Sequence, residues 1–339
     1  MHMSKPTLLY AVAERHFPAL FATEDQRRIA GVTDVIAAPI PPAADAHFLL
    51  RHLPDAQIVI SSWDTARFDE STLAAATGLR LLCHAAGTVK PYVSDVLWER
   101  GVRVTSASAA IAPGVAEYTL GLILTASKRI PWLMDGIRAG GWRDSLDRFG
   151  GPTELFRQKI GIIGAGYVGR LVIGLLQHFE CEVFLYDPYC TEEEAQRMGT
   201  AKVNTLDAIF SRCDVVSLHA PVMDETKGML RGRHFALLRE GALFINSARG
   251  VLINEPEFIA ELRRGRFAAC LDVTDPVEPP PADHPFRHLP NVLLTPHIAG
   301  VAAQNRFRIG AMIAEEVEAF ASGKPLHHEV FKDQLNRIA

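Results

Sequence analysis

Lys159 to Arg170 read K-I-G-I-I-G-A-G-Y-V-G-R. The glycines at 164, 166 and 169 follow a short β-type run (Ile160, Ile162, Ile163) and open a helix-period segment (Val168, Leu171, Val172, Leu175, Leu176). A G-x-G-x-x-G triplet alone constrains little, but between a strand and a helix it demands a βαβ unit whose first turn receives a pyrophosphate. Gly164 permits the tight turn, Gly166 lets the backbone approach the phosphates, and Gly169 lets the helix pack on the sheet. The helix amides, from Tyr167 and Val168 onward, and the helix dipole attract the negative charge. Asp187 closes the next apolar run, F-L-Y-D-P, eighteen residues after Gly169. A carboxylate there accepts from the adenosine ribose hydroxyls and repels a 2′-phosphate, so NAD is expected rather than NADP. Asp187-Pro188 also reads as a turn starter.

A chain of 339 residues exceeds the size at which one core stops growing, so two domains are expected. Its net charge of −4 and 22% charged residues hold no basic excess of the kind that binds nucleic acid or an anionic membrane, and neither partner is expected. The N-terminus lacks the charged, apolar and small-residue order of a signal peptide, and no uninterrupted apolar run approaches the roughly 20 residues of a spanning helix. A cytoplasmic location is the expectation. Met1 and His2 precede a second methionine, Met3, which is an alternative native start. The five cysteines (83, 181, 190, 213 and 270) are scattered, without C-x-x-C spacing, and predict reduced thiols rather than disulfides or zinc. The histidine pairs at 284/288 and 327/328 lack accompanying ligand residues, so no metal is expected.

Short apolar runs alternate with helix-length segments throughout, the pattern of parallel sheets with crossover helices. The first set of strands is expected at 7–12, 34–37, 57–61, 79–84 and 102–105, and the second at 159–164, 182–187, 214–219, 242–246, 268–273 and 292–295. The fold class is therefore α/β with two doubly wound parallel-sheet domains, the second a Rossmann domain and the first a smaller flavodoxin-like one. Val115 to Ala126, following Pro113, is apolar on most faces and predicts a buried connecting helix. The segment after it, with Trp132 and Trp142, reads as an exposed arm whose aromatics suit a symmetric dimer, the alternative being that they pack only on their own domain. Thr191 with Glu194 forms a capping box, Thr226 is expected to cap a short helix, and Val301 to Phe320 predicts a last long helix.

Three residues stand just past late strands of the second set, where doubly wound sheets bind ligands. They are Arg249 in N-S-A-R-G, Glu278 in D-P-V-E-P and His297 in T-P-H-I-A-G. Beside a nicotinamide they supply what reduction of a 2-oxo acid needs. A guanidinium grips the substrate carboxylate as a fork, and an imidazolium protonates the carbonyl oxygen as hydride arrives. A carboxylate beside the histidine favours its charged form and fixes its tautomer. Singly, Arg249 also reads as a strand-end cap, Glu278 as a solvated charge and His297 as the partner of a buried carbonyl.

In order along the chain stand V-A-E-Y-T-L-G-L-I-L, G-I-I-G-A-G-Y-V-G, D-V-V-S-L-H-A-P, N-S-A-R-G-V-L-I-N, C-L-D-V and T-P-H-I-A-G. On these motifs the chain resembles the D-isomer-specific 2-hydroxyacid dehydrogenase family. The resemblance implies catalytic roles for Arg249, Glu278 and His297, and a bond from Asp272 to the nicotinamide carboxamide. It implies a wall beside the adenosine at His219 and Pro221 with Thr226 behind it, and cofactor contacts at Ser247, Ala248 and Gly300. It also implies a discontinuous substrate domain (residues 1–105 with 300–339) around an NAD-binding domain (106–299). In the first domain, His84 to Pro91 occupies the place of a G-x-D-N loop whose amides hold the substrate carboxylate, which assigns Ala86, Gly87 and Thr88 to substrate. The acidic residue of that loop is missing, and Lys90 stands nearby, placed to meet an anionic tail or simply solvated. The leading expectation is an NAD-dependent enzyme interconverting a (2R)-2-hydroxy acid and its 2-oxo acid, as a homodimer. The alternatives are formate or phosphite oxidation on the same scaffold and an NADH-sensing corepressor-like scaffold.

Overall fold

The computed structural model describes residues 5–142, 151–335, 337 and 338, and the Met1-His2 pair lies outside them. Two compact units divide the chain, residues 1–111 with 301–339 and residues 112–300. In the first, strands β1 (Thr7–Ala11), β2 (Asp34–Val35), β3 (Ile58–Ser61), β4 (Leu81–His84) and β5 (Arg103–Ser106) form one sheet. All pair in parallel in the order β2-β1-β3-β4-β5, the flavodoxin-like arrangement. Both faces are covered, which is why the central strands are continuous apolar runs rather than alternating ones. Leu9, Val59, Leu82 and Val104 fill one core and Leu8, Ile58, Ile60 and Leu81 the other. The last helix, Ala303–Ala321, brings Ile309, Ile313, Ala314 and Val317 back to this second core. A side chain at Gly310 would collide with the Leu20 carbonyl, so the helix makes backbone contact there.

The second unit holds β6 (Lys159–Ile163), β7 (Glu182–Tyr186), β8 (Ala201–Lys202), β9 (Val215–Leu218), β10 (Leu243–Asn246), β11 (Ala268–Leu271) and β12 (Val292–Leu294). Their order, β12-β11-β10-β9-β6-β7-β8 and all parallel, is that of a Rossmann sheet. The direction of winding reverses between β6 and β9, which opens a crevice at their C-terminal ends. Strand β8 was not expected from the sequence: two residues at a sheet edge carry no readable period.

Four expectations change. The connecting helix begins at Ser108, with Pro113 inside it rather than before it. Loss of one amide so near a helix start removes a single hydrogen bond. Ala110, Ala112, Ala116, Thr119, Ile123, Ala126 and Ser127 are buried, while Leu124 is exposed. By length and mean hydropathy this helix could cross a bilayer, although Glu117 and Thr119 interrupt its apolar run, yet Ala116, Ile123 and Ala126 pack into the core with Ile160 and Ile162. Trp132 belongs to no exposed arm: it is 5% exposed in the helix Ile130–Arg138 and its indole N–H donates to the Pro290 carbonyl at 2.7 Å. Trp142 is 75% exposed. Thr226 caps no helix, because 224–228 form a turn, which its hydroxyl closes by donating to the Pro221 carbonyl (2.7 Å) and accepting from the Met223 amide (2.8 Å). The Thr191–Glu194 capping box is present as expected.

Candidate active site

Because every strand of the second unit is parallel, the loops after β6, β7, β9, β10, β11 and β12 leave one edge of its sheet. The glycine turn after β6 is built for an anion. Gly164 has φ +98°, and a Cβ there would lie 2.8 Å from the Ala220 amide and 2.9 Å from the His219 carbonyl. A Cβ at Gly169 would overlap the Gly164 carbonyl oxygen, whereas one at Gly166 would meet nothing within 4 Å. The amides of Gly166, Tyr167 and Val168 donate to no acceptor among the described residues, at the start of the helix Tyr167–Leu176. Open space above three uncommitted amides fits a pyrophosphate.

Asp187 performs the turn role and more. Its Oδ1 accepts from the Tyr189 and Cys190 amides (2.8 and 3.2 Å), and its Oδ2 accepts from the Ala165 amide at 2.7 Å, which ties it to the glycine turn. About four lone-pair directions exist on a carboxylate, so one remains for a ribose hydroxyl. His219 and Pro221 follow β9 against the glycine turn, with the His219 Nε2 2.9 Å from the Ser217 hydroxyl. Burial pushes the imidazole down to about 4, so it is neutral near pH 7.

After β10, Asn246 staples the turn that carries Ser247, Ala248 and Arg249. Its Nδ2 donates to the Arg249 carbonyl and its Oδ1 accepts from the Ala248 amide, each at 3.0 Å. The Ser247 hydroxyl lies 3.1 Å from that of Thr119. One guanidinium nitrogen of Arg249 donates to the Ala248 carbonyl at 2.6 Å, and burial lowers this group's pKa against the opposing pull of Glu278. A Cβ at Gly250 would strike the Thr274–Asp275 backbone, so glycine lets the Arg249 turn press on the loop that leads to Glu278.

Glu278 and His297 meet directly. The His297 Nδ1 lies 2.6 Å from Glu278 Oε2, with side chains 47% and 38% exposed, and Glu278 Oε1 accepts from the Thr274 amide at 3.0 Å. His297 has φ +54°, a conformation an L-residue holds only when its surroundings impose it. Asp272, at the end of β11 and 1% exposed, imposes it. Its Oδ1 accepts from the Thr295 hydroxyl (2.6 Å), the Ile298 amide (2.9 Å) and the Tyr118 hydroxyl (3.4 Å), and its Oδ2 accepts from the Ala299 amide (2.8 Å). Tyr118 and Thr295 also share a 2.5 Å hydrogen bond. Asp272 thus clamps the segment on both sides of His297 and keeps about one acceptor direction on Oδ2 for a carboxamide. Gly300 follows this segment, partly buried. Nothing in the local sequence marks Tyr118, Thr295, Asn246 or Gly250 for these tasks.

In the first unit the loop after β4 behaves like the glycine turn. The amides of Ala86, Gly87, Thr88 and Val89 donate to no acceptor among the described residues. The Gly87 carbonyl is fixed by the hydroxyls of Ser106 (2.6 Å) and Ser108 (2.8 Å), which turns the Thr88 amide the opposite way. Lys90 is partly buried, with its amide on the Thr88 hydroxyl at 3.3 Å. A separate cavity lined by Ser127, Asp214, Arg239 and Gly241 lies at the N-terminal ends of β9 and β10, away from all of these residues. Among the described residues no cluster of three or more His, Cys, Asp or Glu side chains is placed to hold a metal.

The winding order and the glycine turn define a dinucleotide-binding α/β protein, and the residues above fit NAD. Residues 120–299 match the family model "D-isomer specific 2-hydroxyacid dehydrogenase, NAD binding domain", and the chain belongs to that family. It is 31% identical over 277 residues to the D-3-phosphoglycerate dehydrogenase of Methanocaldococcus jannaschii, covering 81% of this chain and 52% of the relative. The chain spans about half the length of the curated relatives it matches. Among solved structures it is similar to the TT0316 protein of Thermus thermophilus (26% identity, TM-score 0.75, 96% and 100% of the two chains). The apo D-mandelate dehydrogenase of Rhodotorula graminis shares the fold at 22% identity (TM-score 0.84, 97% and 98% covered).

Proposed function

We propose that the chain catalyses the NAD-dependent interconversion of a (2R)-2-hydroxy acid and its 2-oxo acid. The observation that carries this reading is the 2.6 Å His297–Glu278 pair, held beside the Arg249 turn in an NAD-binding domain. When bound, NADH supplies the hydride that C2 of the oxo acid receives. Arg249, with one guanidinium nitrogen on the Ala248 carbonyl, keeps its other donors for the substrate carboxylate. Glu278 occupies Nδ1 of His297, which leaves Nε2 to give its proton to the C2 oxygen, or to take it back in the oxidative direction. The paired carboxylate favours acid–base chemistry over formate oxidation, which moves no proton to a carbonyl.

A homodimer is part of the same reading, supported by Leu124, Ile130, Met134, Ile137 and Trp142, large apolar side chains exposed along two successive helices and just beyond them. Sedimentation at dilute concentration tests it, with a monomer as the contrary result. The activity is tested by following NADH oxidation with glyoxylate, pyruvate, hydroxypyruvate, phenylpyruvate and 2-oxoglutarate. His297→Asn should lower kcat about 100-fold or more while NADH still binds. Near-normal turnover in that variant removes His297 from the chemistry. NADH-dependent capture of a protein partner with no turnover of any acid supports the scaffold instead.

A further inference from the structure

Beside the amides of residues 86–89, the same edge of the first unit's sheet carries side chains that the reaction above does not use. Trp63 follows β3, the neighbour of β4, and the Ser62 hydroxyl next to it donates to the Ala85 carbonyl at 3.1 Å. Trp63 thus follows directly on a residue bonded to Ala85, the residue before the amide run. Its turn is fixed from behind: Thr65 accepts from the Ser62 amide (3.0 Å) and donates to the Ala11 carbonyl (2.8 Å). Asp64, at φ +64°, takes the Arg15 Nε (2.9 Å) and the His16 Nε2 (2.6 Å) on one oxygen. The His16 ring lies 5.5 Å from the Trp63 ring. From the first turn of the last helix, the Arg306 guanidinium lies over the indole, 5.8 Å from its centroid.

Arg306 is partly buried, and no carboxylate among the described residues pairs with it, since the nearby Asp64 is engaged by Arg15 and His16. An indole holds a guanidinium by its face and leaves the N–H fork uncommitted at its rim. A partly buried cation with no carboxylate partner among the described residues, in the same unit as a run of uncommitted amides, suits a second anionic group. We propose that Arg306, held over Trp63, and the amides of residues 86–89 form an anion-binding subsite of the first unit, and that the preferred substrates are 2-oxo or 2-hydroxy acids bearing a second anionic group, a carboxylate or a phosphate ester. The inference rests on the dehydrogenase reading and names its substrate class.

The test compares kcat/KM for pyruvate, 2-oxobutyrate, phenylpyruvate, oxaloacetate, 2-oxoglutarate and 3-phosphooxypyruvate, in the wild type and in Arg306→Met, Arg306→Lys and Lys90→Met. The wild type should favour a dianionic acid over the size-matched monoanion, and the better of the carboxylate and phosphate substrates identifies the source of the charge. Arg306→Met should cut that preference about 10- to 100-fold, through KM, the worth of one charge-assisted pair. Arg306→Lys should restore part of it, and Lys90→Met should change it less. If Arg306→Met fails to fold, the Lys variant and the wild-type ranking still decide. A wild type that ranks pyruvate or phenylpyruvate first, or an Arg306→Met that slows both classes equally, overturns the subsite and leaves the dehydrogenase reading standing. Turnover of none of the six acids overturns both.

Discussion

Replacing Asp272 by asparagine keeps the shape of the side chain and removes half of its capacity to accept. Four donors converge on this carboxylate: the Thr295 and Tyr118 hydroxyls and the Ile298 and Ala299 amides. In the variant the oxygen should face the three donors at Oδ1, which sets the new NH2 against the Ala299 N–H. A charge-assisted bond is then lost, about 1.5–3 kcal/mol, and a buried amide is left without an acceptor, about 1–3 kcal/mol more. The site is 1% exposed, so solvent offers little repair. We expect a loss of about 3–5 kcal/mol, somewhat less if the strand end relaxes. The same change loosens the turn that holds His297 at φ +54°, and an acid displaced by about 1 Å costs about 100-fold in rate. Guanidinium unfolding gives the stability change, and NADH oxidation on the best oxo acid gives the rate. Thr295→Val, which removes one hydroxyl from the network and leaves the Asp272 carboxylate and both amide bonds, should lose less of each. An Asp272→Asn variant within about 1 kcal/mol of wild type and with normal kcat would refute the clamp.

Three other outcomes are expected. Asp187 should make NADH preferred over NADPH by about 2 kcal/mol or more, and Asp187→Asn, which keeps an oxygen for the Tyr189 and Cys190 amides but sets its NH2 against the Ala165 amide, should narrow the ratio of kcat/KM values; equal values in the wild type would sink this. Gly169→Ala should destabilise the fold by about 1–3 kcal/mol because its Cβ meets the Gly164 carbonyl, while Gly166→Ala should melt normally yet bind NADH more weakly by fluorescence titration; unweakened binding by Gly166→Ala would argue that no phosphate lies over it. His84 is fully buried and burial pushes it from 6.5 down to about 3, so below 6.5 only the unfolded chain takes up its proton. The stability it contributes is whole above pH 6.5 and is lost as pH falls toward about 3, at about 1.4 kcal/mol per pH unit. His84→Gln should flatten that slope in urea unfolding between about pH 6 and about pH 4, and an unchanged slope would contradict it.

The amino-acid sequence alone determined the elements whose causes are local. Buried parallel strands must be short apolar runs, so β1, β3, β4, β6, β9, β10 and β11 are legible to within a residue or two. A turn that needs φ > 0 and close backbone approach admits only glycine, so the 164, 166 and 169 spacing announced the dinucleotide turn. The Thr191–Glu194 box closes within a single turn of helix and was equally readable. What tertiary structure decided is every partnership between loops distant in sequence. Trp132 looks like an exposed aromatic until the Pro290 carbonyl reaches its indole, and Thr226 looks like a cap until Pro221 folds back on it. The hydrogen bonds of Tyr118 and Thr295 to Asp272, and the seating of Arg306 over Trp63, join segments that meet only because parallel sheets deliver their loops to one edge. A hydroxyl or a guanidinium carries no periodic signature. Its role is set by the acceptor or ring the folded chain places within about 3–6 Å, and that distance does not exist until the sheet has formed.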